Sequence, residues 1–571
     1  MPAPPTEAPV LIAGAGPVGL SLAAELSWRG VPCIVIERSD GAPPSPRTNV
    51  IAARSMEHFR RIGVAAQLRS VGLPDDYPPD LVLRTRFCGP DLARERWWSR
   101  ATLRQEGHDE VVWPTPEPPC RVNQTYFQPV LLQHVWSAPD VRVLLGSEVV
   151  AVQPREDGVR IRVAQGDRTV VLEGAYLVGC DGAHSVVRKA IGATLDGIPA
   201  LRETVSVHFR SADLARLNTR PAWSYAIYNA DLGFGGMFAL DGREEWLCHA
   251  GFPAGASTGD VDPRALIRQM VGTDVAVEIH QVVRWTARAL VADRFRSGRV
   301  LLAGDAAHIW VPAAGFGMNS GIQEAMTLGW MLAAVHHRWG GEGLLDAYER
   351  ERRPLGEQVA AIVTDISRGS SGPRMRESLR AVLPDVERPG AAGDRARTAL
   401  RDYVVRHSFP QHSPVGLNFG YRYEDSPVIV GDGTPEPPFA FGAFEPDARP
   451  GHRLPHVRTG DGTPVFDLLG PDFSLLVVGD QGPARAGNGD GERDGDREVA
   501  ALTAAAERAG VPVTVVPVRW PAARSLYRAR YVLVRPDQHV AWRGDALPAD
   551  PDALVDRVRG GRASGVSDNV R

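Results

Sequence analysis

Residues 10–19, VLIAGAGPVG, decide the fold of this chain, together with the helical pattern LSLAAELSWRG that follows them. A short apolar run typical of a strand meets three glycines at G-x-G-x-x-G spacing. Gly14 permits a tight turn, Gly16 lets the backbone come close to a pyrophosphate, and Gly19 lets the helix pack against the strand. The N-terminus of that helix offers free N–H groups and the positive end of its dipole to phosphate. The stretch therefore predicts a dinucleotide-binding βα unit.

A second strand supports this interpretation. The run PCIVI at 32–36 ends at Glu37, an acidic residue 23 positions after Gly14. In such units a carboxylate at this distance binds the ribose hydroxyls of an adenosine. The competing interpretation, a glycine-rich surface turn, would not need the acid. Strand, glycine loop, helix and acid together predict a site for an adenine dinucleotide.

The overall composition argues against several classes of function. The 571 residues are too many for one core, so several domains are expected. The formal net charge is −4 with no basic stripe, which argues against nucleic acid or an anionic membrane as a partner. The five cysteines are scattered without C-x-x-C spacing, no stretch predicts a metal site, and no run of about 18 apolar residues occurs. We therefore expect a soluble cytoplasmic protein.

Two further landmarks share one form, a buried strand that delivers an aspartate to a glycine-containing turn. The first is YLVGCDGAHSVVR at 176–188, which places Asp181 before a helix. The second is RVLLAGDAAH at 299–308, which places Asp305 after a glycine. A glycine-rich loop, AAGFGMN at 313–319, then opens a long apolar helix. Such a loop presents backbone N–H groups at a helix N-terminus, an arrangement suited to anionic groups.

The remaining patterns divide the chain into segments. Residues 200–290 alternate as the strands of an antiparallel sheet do, whereas residues 75–120, rich in Pro, Arg and Trp, resist assignment. Strand patterns at FSLLVVG, VPVTVVPV and RYVLVRPD, with a helix at EVAALTAAAERAG, favour a thioredoxin-type unit without redox cysteines. The predicted segments are a dinucleotide-binding domain, first part, 1–195; an inserted sheet, 196–292; the second part of the first domain with a helical extension, 293–405; and a thioredoxin-like domain, 406–571.

The three motifs in this order resemble the group A flavoprotein aromatic hydroxylases, the para-hydroxybenzoate and phenol hydroxylase family, over nearly the whole chain. The tail segments SPVIVGDGTPEPP, ARPGHRLPHV and VLVRPDQHVAWR resemble its branch with a C-terminal thioredoxin-like domain, which includes tailoring oxygenases of aromatic polyketides. The resemblance implies an α/β fold. It would comprise a Rossmann-like FAD-binding domain of glutathione-reductase type, an inserted antiparallel-sheet substrate domain and a thioredoxin-like domain.

The resemblance also implies roles for particular residues. Asp305 would bind the ribityl or pyrophosphate part of FAD, and residues 315–319 would place backbone N–H groups on the N1–C2=O edge of the flavin. Arg47 matches the family arginine near flavin and pyridine nucleotide and is the expected catalytic residue. Asp181 would join the FAD and NADPH sites, or else form a structural ion pair with Arg188. The expected cofactor ligands are Gly14, Gly16, Gly19, Glu37, Arg38, Arg47, Gln124, Asp181, Asp305, Gly315, Gly317, Met318 and Asn319.

Several of these positions carry an alternative or a departure from the family. Gln124 matches a flavin-contacting glutamine, with an exposed helical residue as the alternative. His308 is expected to pack and hydrogen-bond instead of acting as an acid or base. Where relatives commonly show D-A-x-N-L, this chain has EAMTL from Glu324. The loop at 313–319 begins Ala313-Ala314-Gly315, one glycine fewer than in many relatives.

The substrate is expected between the inserted sheet and the flavin. Trp310 and Pro312 directly precede the loop at 313–319, called the flavin loop below, and are the stronger candidates for contact with the substrate. No charged anchor for a small carboxylate is apparent, which favours a bulky neutral phenol or polyketide. The sheet residues that could line the site, or equally belong to the core, are Tyr225, Met237, Phe238 and Trp246, with His249 as a polar handle.

The implied function is that of an FAD-dependent monooxygenase. It would use NADPH or NADH and O2 to hydroxylate a phenolic or polycyclic aromatic substrate through a flavin C4a-hydroperoxide. The same fold could instead perform Baeyer–Villiger or ring-opening oxygenation of a polycyclic quinone, and a non-catalytic flavin-binding protein is the alternative from another class. A flavin halogenase is disfavoured because the single lysine, Lys189, follows the Asp-Gly motif and no W-x-W-x-I-P string is present. The C-terminal domain commonly serves assembly in this branch, which suggests a homodimer.

Overall fold

The computed structural model describes residues 7–43, 45–47, 49–341, 343–479, 489–519 and 521–561. Its strands, in chain order, are β1 (Glu7–Ala13), β2 (Cys33–Ile36), β3 (Leu81–Arg84), β4 (Ala93–Glu95), β5 (Val141–Leu144), β6 (Glu148–Pro154), β7 (Val159–Gln165), β8 (Arg168–Gly179), β9 (Leu195–Arg210), β10 (Ser224–Ile227), β11 (Gly235–Ala239), β12 (Glu245–Phe252), β13 (Glu278–Ala292), β14 (Arg296–Ser297), β15 (Val300–Leu302), β16 (His308–Trp310), β17 (Phe473–Val478), β18 (Val513–Val518), β19 (Tyr531–Val534) and β20 (Val540–Gly544).

Its α-helices are α1 (Pro17–Trp28), α2 (Ala53–Arg61), α3 (Ala65–Arg69), α4 (Arg100–Gln105), α5 (Gln124–Trp136), α6 (Val186–Ala190), α7 (Ala212–Leu217), α8 (Pro263–Val271), α9 (Phe316–His336), α10 (Leu344–Ser370), α11 (Pro373–Leu379), α12 (Gly390–His407), α13 (Val415–Phe419), α14 (Gly489–Arg508), α15 (Pro521–Tyr527) and α16 (Pro551–Val558). Within the described ranges, none of them is long and apolar enough to cross a membrane.

The first sheet is organised around β1. β1 pairs in parallel with β2 on one side and with β8 on the other. The strand order is β14-β15-β8-β1-β2-β5, with the β6–β7 hairpin attached to β8. Helix α1 packs against α9 and α5. Because the central strands are covered on both faces, the segments at 10–13 and 33–36 are continuous apolar runs instead of alternating ones.

The second sheet has the strand order β16-β13-β9-β12-β11-β10-β3-β4. Most of its pairs are antiparallel, as the alternating pattern predicts, but β3 joins β10 in parallel. Strands β3, β4 and β16 come from outside residues 196–292, so the sheet draws on more of the chain than the predicted insertion. The segment that resisted assignment thus contributes two strands, and an ion pair between Arg84 and Asp91 (2.8 Å) joins β3 to the turn before β4. These strands are only four and three residues long, too short for a pattern to reveal.

The third sheet has the strand order β18-β17-β19-β20. β17 and β18 are parallel and connected through α14, whereas β19 runs antiparallel to both β17 and β20. With α15 before β19 and α16 after β20, this is the βαβαββα arrangement of a thioredoxin-like domain. The α/β fold class with a thioredoxin-like C-terminal unit is therefore confirmed, whereas the exact segment boundaries stay predictions.

Buried charges join the third sheet to the first part of the chain. Arg535, between β19 and β20, donates to Glu351 of α10 (2.9 Å) and to Asp537 (2.7 Å). Arg54 of α2 donates to the carbonyl of Asp537 and to Glu57 (2.8 Å). All five side chains are at most 1 % exposed. Each guanidinium and each carboxylate in this network depends on its partners, because unpaired buried charge is costly.

Buried histidines in the same region predict a dependence of stability on pH. Burial lowers the pKa of His539 to about 4 and that of His456 to about 4. Unfolded histidine takes up its proton near pH 6.5, so both contributions are complete above that pH and are lost as the pH falls towards 4. We expect the free energy of unfolding to fall below pH 6.5 by up to about 1.4 kcal/mol per pH unit for each fully buried histidine. Urea denaturation between about pH 7.5 and pH 4.5 measures this decline, because that range covers most of the interval between the unfolded and the folded pKa of the two histidines.

A His539→Gln variant provides the control for this pH dependence. The substitution removes one group that protonates only on unfolding, so the decline of stability with falling pH should become less steep. An unchanged slope would contradict the assignment of His539.

Candidate active site

The three motifs meet at one edge of the first sheet. In the parallel register, Ala13 at the end of β1 lies opposite Ile36 of β2 and Gly179 of β8, and Gly179 lies opposite Leu302 of β15. The residues that follow these strand ends are the glycine loop, Glu37, the Asp181 turn and the Asp305 turn. In open parallel sheets, ligands bind in the crevice at the carboxyl ends of the strands. Segments separated by almost 300 residues in sequence thus form one candidate site.

The three glycines of the first motif lie in different structural environments. Gly14 has a φ of +105°, and a Cβ there would lie 2.4 Å from the Cys180 carbonyl oxygen. A Cβ on Gly19 would lie 2.0 Å from the Gly14 carbonyl oxygen, so this glycine allows α1 to approach β1. Gly16 has an ordinary φ of −69°, and a Cβ there would meet no protein atom within 4 Å. Packing therefore explains Gly14 and Gly19 but not Gly16, whose outer side is open.

The acid at the end of β2 closes onto the glycine loop. Glu37 accepts a hydrogen bond from the Ala15 N–H (2.8 Å) and further bonds from the backbone N–H (2.8 Å) and hydroxyl (2.7 Å) of Ser39. The side chain is half-buried, and the neighbouring Arg38 is exposed. The carboxylate is thus held beside the turn where the adenosine ribose was expected.

Gln124 also lies beside the glycine loop. It is the first residue of α5, after the N-cap Asn123, and it is only 8 % exposed. Its amide donates to Gln128 (2.7 Å), whose own amide points to the Ala15 carbonyl at 3.4 Å. Gln124 is therefore not an exposed helical glutamine, and its predicted contact with the cofactor remains compatible with its position.

Asp181 and Arg188 have separate partners. Asp181 accepts hydrogen bonds from the Ser185 hydroxyl and from the Val186 N–H (2.7 Å), so it binds the first turn of α6, whose N-cap is Ser185. Arg188 donates to the carbonyl oxygens of Ala183 (2.8 Å) and Ala306 (3.0 Å). The described contacts therefore contain no direct Asp181–Arg188 pair, and Arg188 instead ties the Asp-Gly turn to the Gly-Asp turn.

Asp305 stands at the third strand end without a hydrogen bond to any described residue. Its side chain is solvent-accessible, yet enough protein surrounds it that lost hydration raises its pKa, against the opposing charges of His308 and Arg47. Arg47 is itself exposed. The site thus presents one carboxylate and one guanidinium to a ligand, close enough to influence each other.

A buried acid supports this turn from behind. Glu324 of α9 accepts hydrogen bonds from the Gly304 N–H (2.8 Å) and from His308 Nε2 (2.9 Å), and Arg352 of α10 lies 3.7 Å away. Burial raises the pKa of Glu324, but His308 and Arg352 outweigh burial and lower it overall. His308 also stacks on Trp310, with 3.8 Å between ring centroids. The expectation that His308 serves packing and hydrogen bonding agrees with these contacts, and Glu324 is a positioning residue that the motifs alone did not reveal.

The loop before α9 turns on two residues in left-handed conformation. Ala314 has a φ of +56° and Gly315 a φ of +69°. Asn319 braces the first turn of α9, because its amide accepts from the Ala52 N–H (2.8 Å) and donates to the Gly315 carbonyl (2.7 Å). No side chain caps this helix within the described residues. The free N–H groups of its first turn, around Gly317 and Met318, therefore stay available for an anionic group.

Comparison with known proteins agrees with this geometry. Residues 7–363 match the FAD binding domain family, and residues 447–560 match the C-terminal domain of aromatic-ring hydroxylases. The tetracenomycin A2 monooxygenase-dioxygenase of Streptomyces glaucescens is 31 % identical, with 95 % of this chain and 94 % of that protein covered. RebC, solved after soaking with chromopyrrolic acid and with 7-carboxy-K252c bound, is 35 % identical with a TM-score of 0.85, over 98 % of this chain and 100 % of RebC.

The chain belongs to the FAD-dependent aromatic-ring hydroxylases. Aklavinone-11 hydroxylase, solved as a ternary complex with FAD and aklavinone, is a further solved member, 28 % identical with a TM-score of 0.77 over 96 % of this chain and 98 % of that one.

The residues of this hydroxylase fit FAD. Gly16 leaves its outer side open to a pyrophosphate, Asp305 has a free carboxylate, and the N-terminus of α9 has uncapped N–H groups. Together these features provide polar groups along one strand-end crevice for the two ends of a dinucleotide. The individual ligand assignments stay predictions, with Gly16 and Asp305 the best supported.

The register of the second sheet places the predicted substrate residues of the hydroxylase on two opposite faces of the sheet. Tyr225 pairs with Met237, and Trp246 shares their face; all three are at most 1 % exposed beneath α8. They are core residues, which argues against contact with a substrate. Phe238 lies on the opposite face and is half-buried. Trp310 is 9 % exposed against His308, and Pro312 is exposed, so both stay candidates.

The missing glycine of the flavin loop predicts a stabilising substitution. An L residue such as Ala314 is strained by about 1–2 kcal/mol in left-handed conformation, and the added freedom of an unfolded glycine offsets about half of that. We expect Ala314→Gly to raise the free energy of unfolding by about 0.5–1 kcal/mol. Urea denaturation measures the change. Ala360→Gly in α10 is the control and should destabilise by about 1 kcal/mol, so a loss of stability in both variants would contradict strain at Ala314.

Proposed function

We propose that this hydroxylase uses NAD(P)H and O2 to add one oxygen atom to a polycyclic aromatic substrate. The balance is substrate, NAD(P)H, a proton and O2 giving hydroxylated substrate, NAD(P)+ and water. The observation that carries the proposal is the convergence of the glycine loop, Asp305 and the uncapped start of α9 at one strand-end crevice. The substrates named for the relatives, tetracenomycin A2 and aklavinone, favour a fused-ring compound.

When bound, FAD would supply the redox chemistry of the oxygenation. The chain's own residues would bind and orient it. Gly16 would admit the pyrophosphate, Glu37 would hold a ribose, and the N-terminal turn of α9 would stabilise negative charge that develops on the flavin ring. Arg47, exposed beside Asp305, is the candidate catalytic residue because a positive charge there would serve both the flavin and NAD(P)H.

The test is NAD(P)H consumption by the purified yellow protein, with and without phenols and polycyclic quinones. We expect bound FAD, oxidation that substrate accelerates, and a product one oxygen atom heavier that takes up label from heavy-isotope O2 but not from heavy-isotope water. A ring-opened or lactone product would favour ring-opening or Baeyer–Villiger chemistry instead. Absence of FAD, or no NAD(P)H consumption with any substrate, would refute the enzymatic function and leave a binding role.

A further inference from the structure

A line of aromatic contacts runs from the buried Trp223, at the core beneath α8, onto the opposite face of the second sheet. Trp223, just before β10, lies 5.5 Å from Phe238 of β11, and Phe238 lies 5.6 Å from His249 of β12, between ring centroids. His249 Nδ1 then meets the hydroxyl of Ser206 of β9 at 2.7 Å. The line crosses three inter-strand steps of about 4.8 Å, so it extends over about 15 Å. Such a length suits a polycyclic aromatic molecule better than a single ring.

An arginine stands at each end of this line. The guanidinium of Arg121 lies between Trp97 and Trp223, 4.3 Å and 4.6 Å from the ring centroids. At the other end Arg202 of β9 donates towards the Thr204 hydroxyl (3.4 Å), to the Ser367 hydroxyl (3.1 Å) and to the Ser371 hydroxyl. Neither arginine was predicted from the sequence as a site residue, since both lie outside the recognised motifs.

Neither guanidinium has an ion-pair partner among the described residues. Arg121 donates one bond, to the His412 carbonyl (3.1 Å), and its buried Nε has no partner. Glu95, the carboxylate that acts on it from a distance, is instead bonded to the Ser413 hydroxyl (2.7 Å). Burial lowers the pKa of Arg121 and of Arg202 to about 10 each. Desolvated positive charge without a counter-ion is unfavourable. Among the described residues Arg121 has two aromatic rings and one carbonyl as partners and Arg202 has three hydroxyls, but neither has a carboxylate.

The middle of the line is polar but uncharged. Trp285 Nε1 donates to the Ser206 hydroxyl (2.8 Å), which leaves the Ser206 proton for His249 Nδ1. Burial and the charge of Arg202 lower the pKa of His249 to about 4, so the ring is neutral at physiological pH. Phe238, His249 and Trp285 are half-buried and thus retain accessible surface. Positive charge is therefore concentrated at the two ends of an accessible aromatic surface.

We propose that this surface binds a planar polycyclic aromatic substrate that carries acidic groups, with Arg121 and Arg202 as the two anion-binding residues. The inference rests on the proposed function in one respect, namely that the substrate binds between the second sheet and the flavin. Arg121 adjoins the flavin loop, because Cys120 pairs with Ile51, and Ala52 is bonded to Asn319 at the start of α9. The proposal departs from the expectation of a neutral phenol or polyketide, because Arg121 and Arg202 would serve as charged anchors.

The experiment compares matched probes on the purified holoprotein without NAD(P)H. The probes are anthraquinone-2,6-dicarboxylate, anthraquinone-2-carboxylate and anthraquinone-2-carboxamide, and binding is followed by changes in flavin absorbance and tryptophan fluorescence. We expect the monoacid to bind about tenfold or more tightly than the amide, and the diacid more tightly again, because charge-assisted hydrogen bonds are the stronger ones. Equal affinities for acid and amide, or no binding of any probe, would overturn the proposal.

Three variants test the two arginines. Arg121→Gln and Arg202→Gln should each reduce diacid affinity about tenfold or more and leave amide affinity within about twofold. Arg210→Gln is the matched control, because Arg210 lies on β9 as Arg202 does but is exposed and paired with Glu244. This variant should change neither the diacid affinity nor the amide affinity. Equal weakening of acid and amide would mean a structural role and overturn the proposal. Should a Gln variant fail to fold, Arg121→Lys must still prefer acid over amide.

These outcomes are distinct from those that test the proposed function. Binding preference is measured at equilibrium and needs no turnover. Failure of the proposed function shows as missing FAD or unused NAD(P)H, whereas failure of the present inference shows as loss of the acid preference in a protein that still carries FAD.

Discussion

A Gly16→Val variant is expected to fold normally and to lose its FAD. A Cβ at this position meets no protein atom within 4 Å, and the φ of −69° with ψ of 175° is a backbone conformation that valine adopts readily. The side chain would instead occupy the space through which a pyrophosphate approaches the N-terminus of α1. We expect FAD affinity to fall about a hundredfold or more, since several phosphate contacts depend on that approach. Flavin absorbance of the purified protein, with far-UV circular dichroism and urea denaturation, measures both parts.

Two further glycine variants make this result interpretable. Gly259→Val, in an exposed loop and likewise free of neighbours within 4 Å, should retain both fold and FAD. Gly19→Val should disturb the fold itself, because its Cβ would lie 2.0 Å from the Gly14 carbonyl oxygen. A Gly16→Val protein that retains full FAD content would refute the assigned role of Gly16, and one that unfolds as Gly19→Val does would place that glycine among the packing residues.

The sequence predicted the parts of the site that local chemistry determines. A glycine or an acidic residue that follows a parallel strand lies at the carboxyl edge of the sheet. The motifs alone therefore predict that Gly14, Glu37, Asp181 and Asp305 lie along one edge. The thioredoxin-type order of the last sheet followed from strand and helix patterns in the same way.

Tertiary packing determined what the sequence could not reveal. Alternation along β11 shows that Met237 and Phe238 face opposite sides of the sheet, but not which side α8 covers. Three of the four predicted sheet residues are on the covered side and belong to the core. Arg121 and Arg202 lie outside every recognised motif. They become candidate anion-binding residues only because the folded structure places no paired carboxylate beside them among the described residues. The same holds for Glu324, whose partners Gly304 and His308 lie 20 and 16 positions earlier in the chain.

An Arg535→Met variant is expected to lose about 3–5 kcal/mol of the free energy of unfolding, because one partner of a buried ion cluster is removed. Arg535 is fully buried, bonded to Glu351 and Asp537, and lies 5.1 Å over the ring of Tyr423. Methionine fills a similar volume but leaves two carboxylates in a dry interior without their counter-charge. Urea denaturation measures the loss. Arg508→Met, which removes an exposed pair with Asp552, should change stability by less than about 1 kcal/mol.

Lowering the pH should reduce the difference in the free energy of unfolding between the wild type and Arg535→Met. In the wild type, burial raises the pKa of Asp537 but Arg535 and His539 outweigh burial and hold it well below the ordinary value, so this contribution is present above about pH 4 and is lost as the pH falls further. Without Arg535, burial is expected to raise the pKa of Asp537 above its unfolded value, and protonation of that carboxyl then relieves the variant as the pH falls. The stability deficit should therefore shrink between neutral and mildly acidic pH, and the added substitutions Glu351→Gln and Asp537→Asn should recover most of it at neutral pH. A deficit that is constant across this range would mean that Arg535 stabilises the domain junction by packing, and the buried carboxylates would then be paired by other groups.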